Sequence, residues 1–340
     1  MQAFSARFLA IGGKDKSICG STTMADLKVG FEHILARYKG EPPVPTAVAY
    51  PCSEDALVGA VDAAKAGLIA PVLVGPEEQI REIAAKAKLD LSPYKLVPAP
   101  DAEESASVAA GLAGSGKARA LMKGSLHTDQ YMHAVLQREN RLRTTRLLSH
   151  CMLIAAPAYR RPIIISDAAV NIAPDLDQKR DIVQNAILLA RAIGVSQPKV
   201  AILAAIETVN SRMTATTDAA CLAKMADRRQ IVGGIVDGPL DLDIAVDKEA
   251  ARIKGVETPI AGEADILIAP NIEAGNMMYK ELTFMAGGQT AGLVMGARVP
   301  VILTSRADNA QTRLFSCALA VLVAEATAKD PSLLHPVLGE

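Results

Sequence analysis

The sequence predicts an α/β fold with mainly parallel sheets, and three observations support this prediction. Hydrophobic residues make up 50% of the 340 residues, yet aromatic residues make up only 3% and tryptophan is absent. The core must therefore consist of small aliphatic side chains, which suits a buried parallel sheet covered by helices. Short runs rich in β-branched residues also alternate with longer runs rich in Ala, Leu, Glu and Lys. Such alternation is typical of right-handed βαβ units.

Short β-rich runs, most of them bounded by turn residues, are predicted as strands at 46–50, 71–74, 96–98, 120–122, 163–166, 200–206, 231–236, 265–269 and 299–304. One helix is predicted between Pro174-Asp175 and Gly194, because apolar residues recur there at helical spacing. Another helix is predicted from about 307 to 329. The length of the chain favours one large or two medium domains.

Charge and composition exclude several classes of protein. The formal net charge is −1, and no basic stripe is present, so nucleic acid is not an expected partner. No apolar run reaches the eighteen or so residues of a membrane span, so no membrane partner is expected. The five cysteines, at positions 19, 52, 151, 221 and 317, are scattered as in reduced cytoplasmic proteins.

A local basic cluster lies in the middle of the chain and has two interpretations. It could hold a phosphate-rich ligand, but a run of this kind is more often a solvated helix face. The cluster consists of Arg138, Arg141, Arg143 and Arg146.

Several predicted strands end in small or polar residues instead of continuing into a helix. In open α/β sheets, ligands bind beyond the carboxyl ends of the strands, so we expect these ends to line a cleft. The ends are Lys123-Gly124, Asp167-Ala168, Asp237-Gly238, Pro270-Asn271 and Ser305-Arg306. Lys123 and the glycine after it would suit an anion, although Ser125 or Thr128 could simply cap a helix there.

Two other segments resemble functional sites less closely. Residues 111–118 nearly match a phosphate-binding P-loop, but Ala118 replaces the required hydroxyl and the strand follows the loop. We interpret 114–116 as a helix end and turn. Asp237, Asp241 and Asp243 could bind a metal, but they lack histidine support, so turn and capping roles are favoured for at least two of them.

Five motifs together resemble the phosphate acetyl/butyryltransferase family. They are KGSLHT (123–128), SDAAVN (166–171), DGPLDLD (237–243), ADILIAPNIEAGNMMYK (264–280) and VPVILTSRAD (299–308). The resemblance covers roughly residues 45 to 328. The TSRAD segment followed by a helix resembles the butyryltransferase-like branch more closely than the acetyltransferase branch.

The resemblance implies a two-domain α/β/α fold related to the isocitrate and isopropylmalate dehydrogenases, with the active site in the interdomain cleft. Domain I would comprise residues 24–153 and 297–340, and domain II residues 154–296. Residues 1–23 differ in character from the rest of the chain, and we expect an N-terminal extension, whether native or vector-derived. The family also implies a homodimer or higher homo-oligomer in the cytoplasm.

The implied reaction converts acyl-CoA and phosphate into acyl phosphate and CoA, with acyl groups from acetyl to butyryl. Both substrates would bind reversibly, with no tightly bound cofactor and no metal. Direct transfer in a ternary complex is expected, because the sequence contains no nucleophile elbow. Two alternatives are a metal- and nicotinamide-dependent dehydrogenase on the same fold and a catalytically degenerate binding subunit.

The resemblance also suggests roles for individual residues. Arg306 would hold phosphate and the developing oxyanion, assisted by Ser305. The acetyltransferase branch has a carboxylate six residues beyond this arginine, where this chain has Thr312. Asp308 is the nearby carboxylate, and it could be the base, orient Arg306 or cap the following helix.

Further residues are expected to bind substrate: Lys123, His127, Thr128, Asp167, Asn171, Asp237, Glu273, Asn276, Tyr279 and Lys280. His133 is a second candidate beside His127 for polar contacts, although a lone histidine is more often structural. Phe284 replaces an arginine of the acetyltransferase branch. This apolar residue could suit a longer acyl chain or could pack in the core.

Overall fold

A computed structural model describes residues 42–159, 161–304 and 308–333 of the chain. The strands form one sheet in the order β3-β2-β1-β4-β11-β10-β5-β6-β9-β7-β8. Their bounds are β1 Val44–Ala49, β2 Ile69–Gly75, β3 Lys95–Pro98, β4 Ala120–Lys123, β5 Ser149–Ala155, β6 Ile163–Ser166, β7 Lys199–Leu203, β8 Ile235–Leu240, β9 Ile266–Ile268, β10 Gln289–Met295 and β11 Val301–Ile302.

The helices cover both faces of this sheet. Their bounds are α1 Glu54–Lys65, α2 Glu77–Lys86, α3 Ala102–Gly114, α4 Thr128–Leu136, α5 Leu176–Ala192, α6 Thr214–Asp227, α7 Leu242–Val246, α8 Lys248–Lys254, α9 Ile272–Lys280 and α10 Ala310–Lys329. A π-helical turn, Glu281–Met285, continues α9. None of these helices is both long enough and apolar enough to cross a membrane.

Alternate residues of each strand enter different cores, which produces three layers. Val44 and Val48 of β1 pack with α1, α2, α5, α6 and α10 on one face. Ala47 and Ala49 of the same strand pack with α3 and α4 on the other face. Further along that second face, α7 and Tyr279 of α9 complete the layer. The predicted α/β/α architecture is therefore confirmed, and its core consists mainly of Ala, Val, Ile and Leu.

The sheet consists of two parallel halves that run in opposite directions. Strands β3, β2, β1, β4 and β11 are mutually parallel, and so are β6, β9, β7 and β8. Between them, β10 and β5 are antiparallel to each other and to both neighbours. The strands of the two halves therefore point in opposite directions, but the last residues of β6 and β11, Ser166 and Ile302, lie in one row across β5 and β10. The expected cleft lined by the polar strand ends stays a prediction.

Strands β5 and β10 were not predicted from the sequence. The β10 segment, QTAGLVM, includes a glycine and an alanine, which have low β-propensity. Its partner β5, SHCMLIA, follows the basic cluster without a turn signal. Both strands are held by pairing with their neighbours and not by their own propensity.

Two strand predictions need correction. Strand β8 starts at Ile235 and continues to Leu240, so Asp237 lies inside the strand and not at its end. Pro239 is tolerated there because β8 is an outer strand of the described sheet, where one side needs no hydrogen-bond donor. The second correction concerns the predicted strand 299–304. Only its residues 301 and 302 form a strand, β11.

The predicted helix ends agree closely with the structure. Asp175 caps α5 through the N–H of Gln178, at 2.9 Å, and α5 ends just before Gly194, whose φ of 101° is left-handed. Helix α3 ends at Gly114, so the P-loop resemblance is a helix end and turn as predicted. The four arginines do not share a helix face, because only a short 3-10 turn, Arg138–Asn140, forms there.

The division into two domains stays a prediction. Its proposed boundaries fall within β5 and just after β10, where the sheet reverses direction. The expected extension, residues 1–23, lies outside the described residues.

Candidate active site

The turn after β6 and the start of α9 form one packed unit. Asn276 donates from its side-chain amide to the carbonyl oxygen of Ala168 at 2.9 Å. The N–H of Ile272 donates to the carbonyl oxygen of Ile172 at 3.0 Å. At Gly275 a Cβ atom would lie 2.1 Å from the carbonyl oxygen of Asp167, so only glycine permits this approach. The structure therefore brings two of the predicted motifs together.

Asp167 organises this turn from within. Its carboxylate is 3% exposed, and it accepts the N–H groups of Ala169, Val170 and Asn171 at 2.9, 3.0 and 3.1 Å. The side-chain amide of Asn171 donates to it as well, at 2.5 Å. Asn171 also donates to the carbonyl oxygen of Leu148 at 2.8 Å. These contacts make both side chains supports of the loop and leave the Asp167 carboxylate little capacity for a ligand.

His150 on β5 is a buried residue that the sequence analysis missed. Its ring lies against β10, where a Cβ atom on Gly292 would be 2.9 Å from Nε2. Neither ring nitrogen makes a well-formed hydrogen bond within the described residues. Burial lowers the pKa of His150, while the charges of Asp167 and Asp308 and, least of all, the backbone of Leu303 raise it. No motif marks this histidine, and β5 itself was not recognised.

Asp308 follows β11 along the chain, and its charge acts on two buried side chains. Besides its effect on His150, it contributes to a raised pKa of Tyr279, of which burial is the larger cause. The cap of α10 is not Asp308 but Asn309, whose side chain accepts the N–H of Thr312 at 2.8 Å. The capping interpretation of Asp308 is therefore wrong. Ser305 and Arg306, the other predicted catalytic residues, lie outside the described residues.

Thr312 occupies the position at which a carboxylate is expected in the acetyltransferase branch. It is a buried residue in the first turn of α10, and its hydroxyl lies 3.4 Å from that of Thr290. A threonine carries no carboxylate, so this position itself cannot supply the base.

Lys123 lies at a second, separate group of residues. It ends β4 and lines a cavity of about 400 Å³ with residues from α1, Thr304 after β11, and Arg313 of α10. Arg313 is buried and was not among the predicted site residues, because it lies beyond the motifs in an apolar helix. His127 and Thr128 are exposed at the start of α4, shortly after Lys123 along the chain.

The remaining predicted residues are more exposed or distant. Glu273 and Lys280 lie on the solvent side of α9. Asp237 is on outer strand β8, where it accepts the Thr258 hydroxyl at 2.5 Å. Phe284, in the π-helical turn, is 67% exposed, so the core-packing interpretation of this residue is wrong.

The three aspartates after β7 have structural partners. Asp241 caps α7, and both Asp241 and Asp243 accept hydrogen bonds from Lys254, at 2.9 and 2.8 Å. Asp237 accepts the N–H of Gly238 at 2.8 Å. The predicted turn and capping roles are confirmed, and no group of three or more potential metal ligands is found among the described residues.

Another cavity of the described chain, of about 1170 Å³, lies elsewhere. It is lined by Tyr159, Arg161 and residues around α8. Arg161 precedes β6 and pairs with Asp265, which precedes β9. This cavity is therefore at the amino ends of the second half of the sheet, where α/β folds seldom bind substrate.

Comparison with known proteins gives one consistent result. A family model described as phosphate acetyl/butaryl transferase matches residues 101–321. A phosphate acetyltransferase of Rhizobium meliloti is 51% identical over 294 residues, covering 86% of this chain and 93% of that protein. A phosphate butyryltransferase of Clostridium acetobutylicum is 42% identical over 294 residues, covering 86% and 98%. The crystal structure of a branched-chain phosphotransacylase from Enterococcus faecalis V583 superposes with a TM-score of 0.74 at 29% identity, covering 83% and 99%.

Gly275→Ala should destabilise the protein. The added Cβ would meet the Asp167 carbonyl oxygen at 2.1 Å, which must push α9 away and strain the bond from Asn276. We expect the free energy of unfolding to fall by about 1–3 kcal/mol in urea titrations. Gly111→Ala in α3 is the matched control, because its nearest neighbour would be 3.5 Å away. Equal stability of the two variants would contradict the packing described for α9.

His150 should make stability depend on pH in the acid range. The pKa of His150 is lowered in the folded state. Below about pH 6.5 this histidine therefore binds a proton in the unfolded chain but not in the folded chain. The free energy of unfolding should therefore fall below pH 6.5 and be insensitive to this group above it. In His150→Gln the decline measured by urea unfolding between pH 7 and 5 should be smaller. His133→Gln, at an exposed position, is the control, and an equal change there would refute the assignment.

Proposed function

This chain belongs to the phosphate acetyl/butyryltransferase family, and we propose that it exchanges phosphate and coenzyme A on short acyl groups by direct transfer. The observation that carries this function is the 51% identity to a phosphate acetyltransferase along nearly the whole length of that relative. The reaction is acyl-CoA plus phosphate to acyl phosphate plus CoA. Acetyl to butyryl groups are the proposed range, because relatives named for both ends of it match this chain.

The chemistry requires an anion site and an oxyanion site close together. A phosphate oxygen attacks the thioester carbonyl, a C–O bond forms, the C–S bond breaks, and CoA leaves as thiolate. In reverse, the thiolate attacks the acyl phosphate and phosphate leaves. Both directions pass through a negatively charged carbonyl oxygen, which fixed donors and cations stabilise.

Arg306 and Ser305 are the proposed holders of this charge. In the sequence they follow β11 and precede α10, and anions bind favourably beyond the carboxyl ends of strands and at helix starts. A guanidinium binds phosphate oxygens in pairs and stays protonated, so it suits both phosphate and the oxyanion. The hydroxyl of Ser305 would donate one more hydrogen bond.

Asp308 is the proposed base for the CoA thiol. Two observations support it: Asn309 supplies the helix cap, so this carboxylate is not used there, and Thr312 provides no carboxylate at the alternative position. The charge of Asp308 also contributes to the pKa values of His150 and Tyr279, which supports a position close to these two buried side chains. Its other proposed role is to orient Arg306, two residues away.

Direct transfer is supported by the state of the cysteines. Burial raises the pKa of Cys52 to about 11 and the pKa values of Cys151 and Cys317 to about 12. Such thiols are protonated at neutral pH and are poor nucleophiles. Cys221 is exposed on α6, which packs against β7 and the outer strand β8. The described cysteines therefore offer no acyl carrier for a two-step route.

The substrate-binding residues remain part of the proposal. Asn276 and Tyr279 on α9, with Lys123 across the sheet, have positions that suit contacts to CoA and phosphate. A preference for longer acyl chains would draw on apolar residues such as exposed Phe284. One acetyltransferase relative, at 51% identity, is more similar than a butyryltransferase relative at 42%, so identity alone does not favour the longer chains. Cytoplasmic location and a homodimeric or larger assembly are likewise proposed.

The dehydrogenase alternative loses its main support in the structure. It rested on Asp237, Asp241 and Asp243 as metal ligands. The latter two share Lys254 as a partner, and Asp237 is bonded to Thr258. These carboxylates are therefore engaged in holding α7 and α8.

Purified protein should release CoA thiol from acyl-CoA only when phosphate is present. Acetyl-, propionyl- and butyryl-CoA should be tested as a panel, with thiol release followed by a chromogenic disulfide. We expect turnover of more than one substrate, because a hydrophobic pocket discriminates only about 10–200-fold per methylene. The control is the same assay in a buffer that contains neither phosphate nor arsenate. Absence of phosphate-dependent release from all three would favour the degenerate binding subunit.

Arg306→Ala should lower kcat at least about a hundredfold, since it removes charge stabilisation of the transition state.

Asp308→Asn should lower kcat for acyl phosphate plus CoA and remove the acid limb of its pH profile, because the amide cannot accept the thiol proton. Asn309→Ala is the control that removes only the helix cap. Near-parental kinetics in Arg306→Ala, or an unchanged pH profile in Asp308→Asn, would refute the respective role.

A further inference from the structure

The imidazole of His150 crosses the central strands on one face of the sheet. His150 precedes Met152 by two residues on β5, so its side chain lies on the face where Met152 shares a core with Tyr279. It is paired with Val294 in the ladder with β10, but its ring lies over Gly292. A Cβ atom on Gly292 would be 2.9 Å from Nε2 and 3.3 Å from Cε1. The ring therefore occupies space that only a glycine at this position leaves.

The ring extends across β10 towards the carboxyl end of β11. Leu303 directly follows Ile302, which is paired with Leu293 of β10, so Leu303 lies beside the part of β10 that the ring covers. The backbone of Leu303 contributes to the pKa of His150, which it raises. A residue anchored on β5 thus presents its ring nitrogens to the end of β11, where the segment leading to Asp308 begins.

Two carboxylates act on this ring from different elements. Burial lowers the pKa of His150, and the charges of Asp167, in the turn after β6, and Asp308, ahead of α10, raise it. Burial also raises the pKa of Tyr279 on α9, and the charge of Asp308 raises it further. Because the pKa of His150 is lowered overall, the ring is neutral at neutral pH and has one donor nitrogen and one acceptor nitrogen.

The hydrogen bonds already made by Asp167 decide which carboxylate the ring serves. Asp167 accepts four hydrogen bonds from its own turn, so a further donor would add little there. Asp308 is not used as the cap of α10, because Asn309 has that role. His150 is 3% exposed, and neither of its ring nitrogens makes a well-formed hydrogen bond within the described residues. A buried donor of this kind is costly unless it gains an acceptor, and the Asp308 carboxylate is the acceptor that remains.

We propose that His150 is a positioning residue for Asp308 and donates a hydrogen bond from its neutral ring to this carboxylate in the catalytic state. This inference rests on the proposed function, in which Asp308 is the base. The thiol proton of CoA passes to Asp308, the sulfur forms the new C–S bond, and the C–O bond breaks with its electron pair left on phosphate. The proton of His150 stays on the ring, which keeps the carboxylate ionised and oriented. Catalytic hydrogen bonds are often poorly aligned in free enzymes and tighten in the substrate complex.

The first test compares His150→Leu, which has no donor, with His150→Gln, which keeps an amide N–H. In His150→Leu, kcat for acyl phosphate plus CoA should fall about tenfold or more with little change in KM. The acid limb of the kcat profile should move to higher pH, because the carboxylate loses a hydrogen bond that stabilises its charged form. His150→Gln should keep the limb closer to that of the parent. An unmoved limb in His150→Leu would overturn the inference.

A second variant displaces the ring without removing it. In Gly292→Ala the added Cβ would meet Nε2 at 2.9 Å, so the acid limb should move in the same direction as in His150→Leu. The same Cβ would lie 3.2 Å from Cε of Met152. Met152→Leu is therefore the matched control, since it alters packing on this face with little change in volume and should leave the limb in place. An equal movement of the limb in Met152→Leu would show an effect of packing alone and refute the role of His150.

A spectroscopic measurement separates this inference from the proposed function. The chain has five histidines, and the His150→Gln variant identifies the ring signals of His150 in isotope-labelled protein. The nitrogen chemical shifts of this ring should change in Asp308→Asn, in the free protein or with CoA added. They should stay unchanged in Asp177→Asn, whose side chain is exposed on α5.

The two possible failures give different results. If the ring shifts respond to Asp308→Asn in a protein without transferase activity, the contact is supported and only the proposed function fails. If the ring shifts do not respond to Asp308→Asn in either state, the inference is overturned whatever the activity of the parent.

Discussion

The antiparallel pairing of β5 with β10 is the constraint on which the remaining architecture depends. It runs in continuous register from Gln289 opposite Ala155 to Met295 opposite Ser149. On its two sides lie parallel half-sheets of opposite direction, so this pair fixes how they meet. It also sets His150 beside the end of β6 and over Gly292. A shift of one residue would turn every side chain of β5 to the other face and remove this arrangement.

Two polar side chains at the centre of the sheet, Asp167 and His150, are buried in different ways. Asp167 accepts four hydrogen bonds from its own turn, and it thereby fixes the loop that receives α9. His150 is equally buried but lacks well-formed partners among the described residues, so its protonation responds to surrounding charge. Polar networks in which every group has its hydrogen bonds rigidify a site, whereas buried groups that lack hydrogen bonds are typical of functional centres. The candidate site contains both within neighbouring strands.

The sequence predicted those features that depend on local signals. Capping residues and glycines located α5 and the end of α3, and the motifs identified the family. The antiparallel strands were missed because β10 contains residues of low β-propensity and is held by its neighbours. The reversal of strand direction between the half-sheets could not be inferred without them. His150 and Arg313 were missed because a residue's burial beside a site depends on tertiary packing. Asp308 and Asn309 are adjacent polar residues, and only geometry shows which one caps α10.

The outer strands of the described sheet have a consequence for contacts between molecules. Strand β3 has only four residues and ends in Pro98, and β8 carries Pro239 within its span. Proline lacks the N–H that a neighbouring strand would need, and short or interrupted edges resist pairing with another chain. A continuous intermolecular sheet is therefore disfavoured at these two edges. Copies of this chain that associate would do so through helix surfaces and loops, which also protects a wide, apolar sheet from strand-by-strand aggregation.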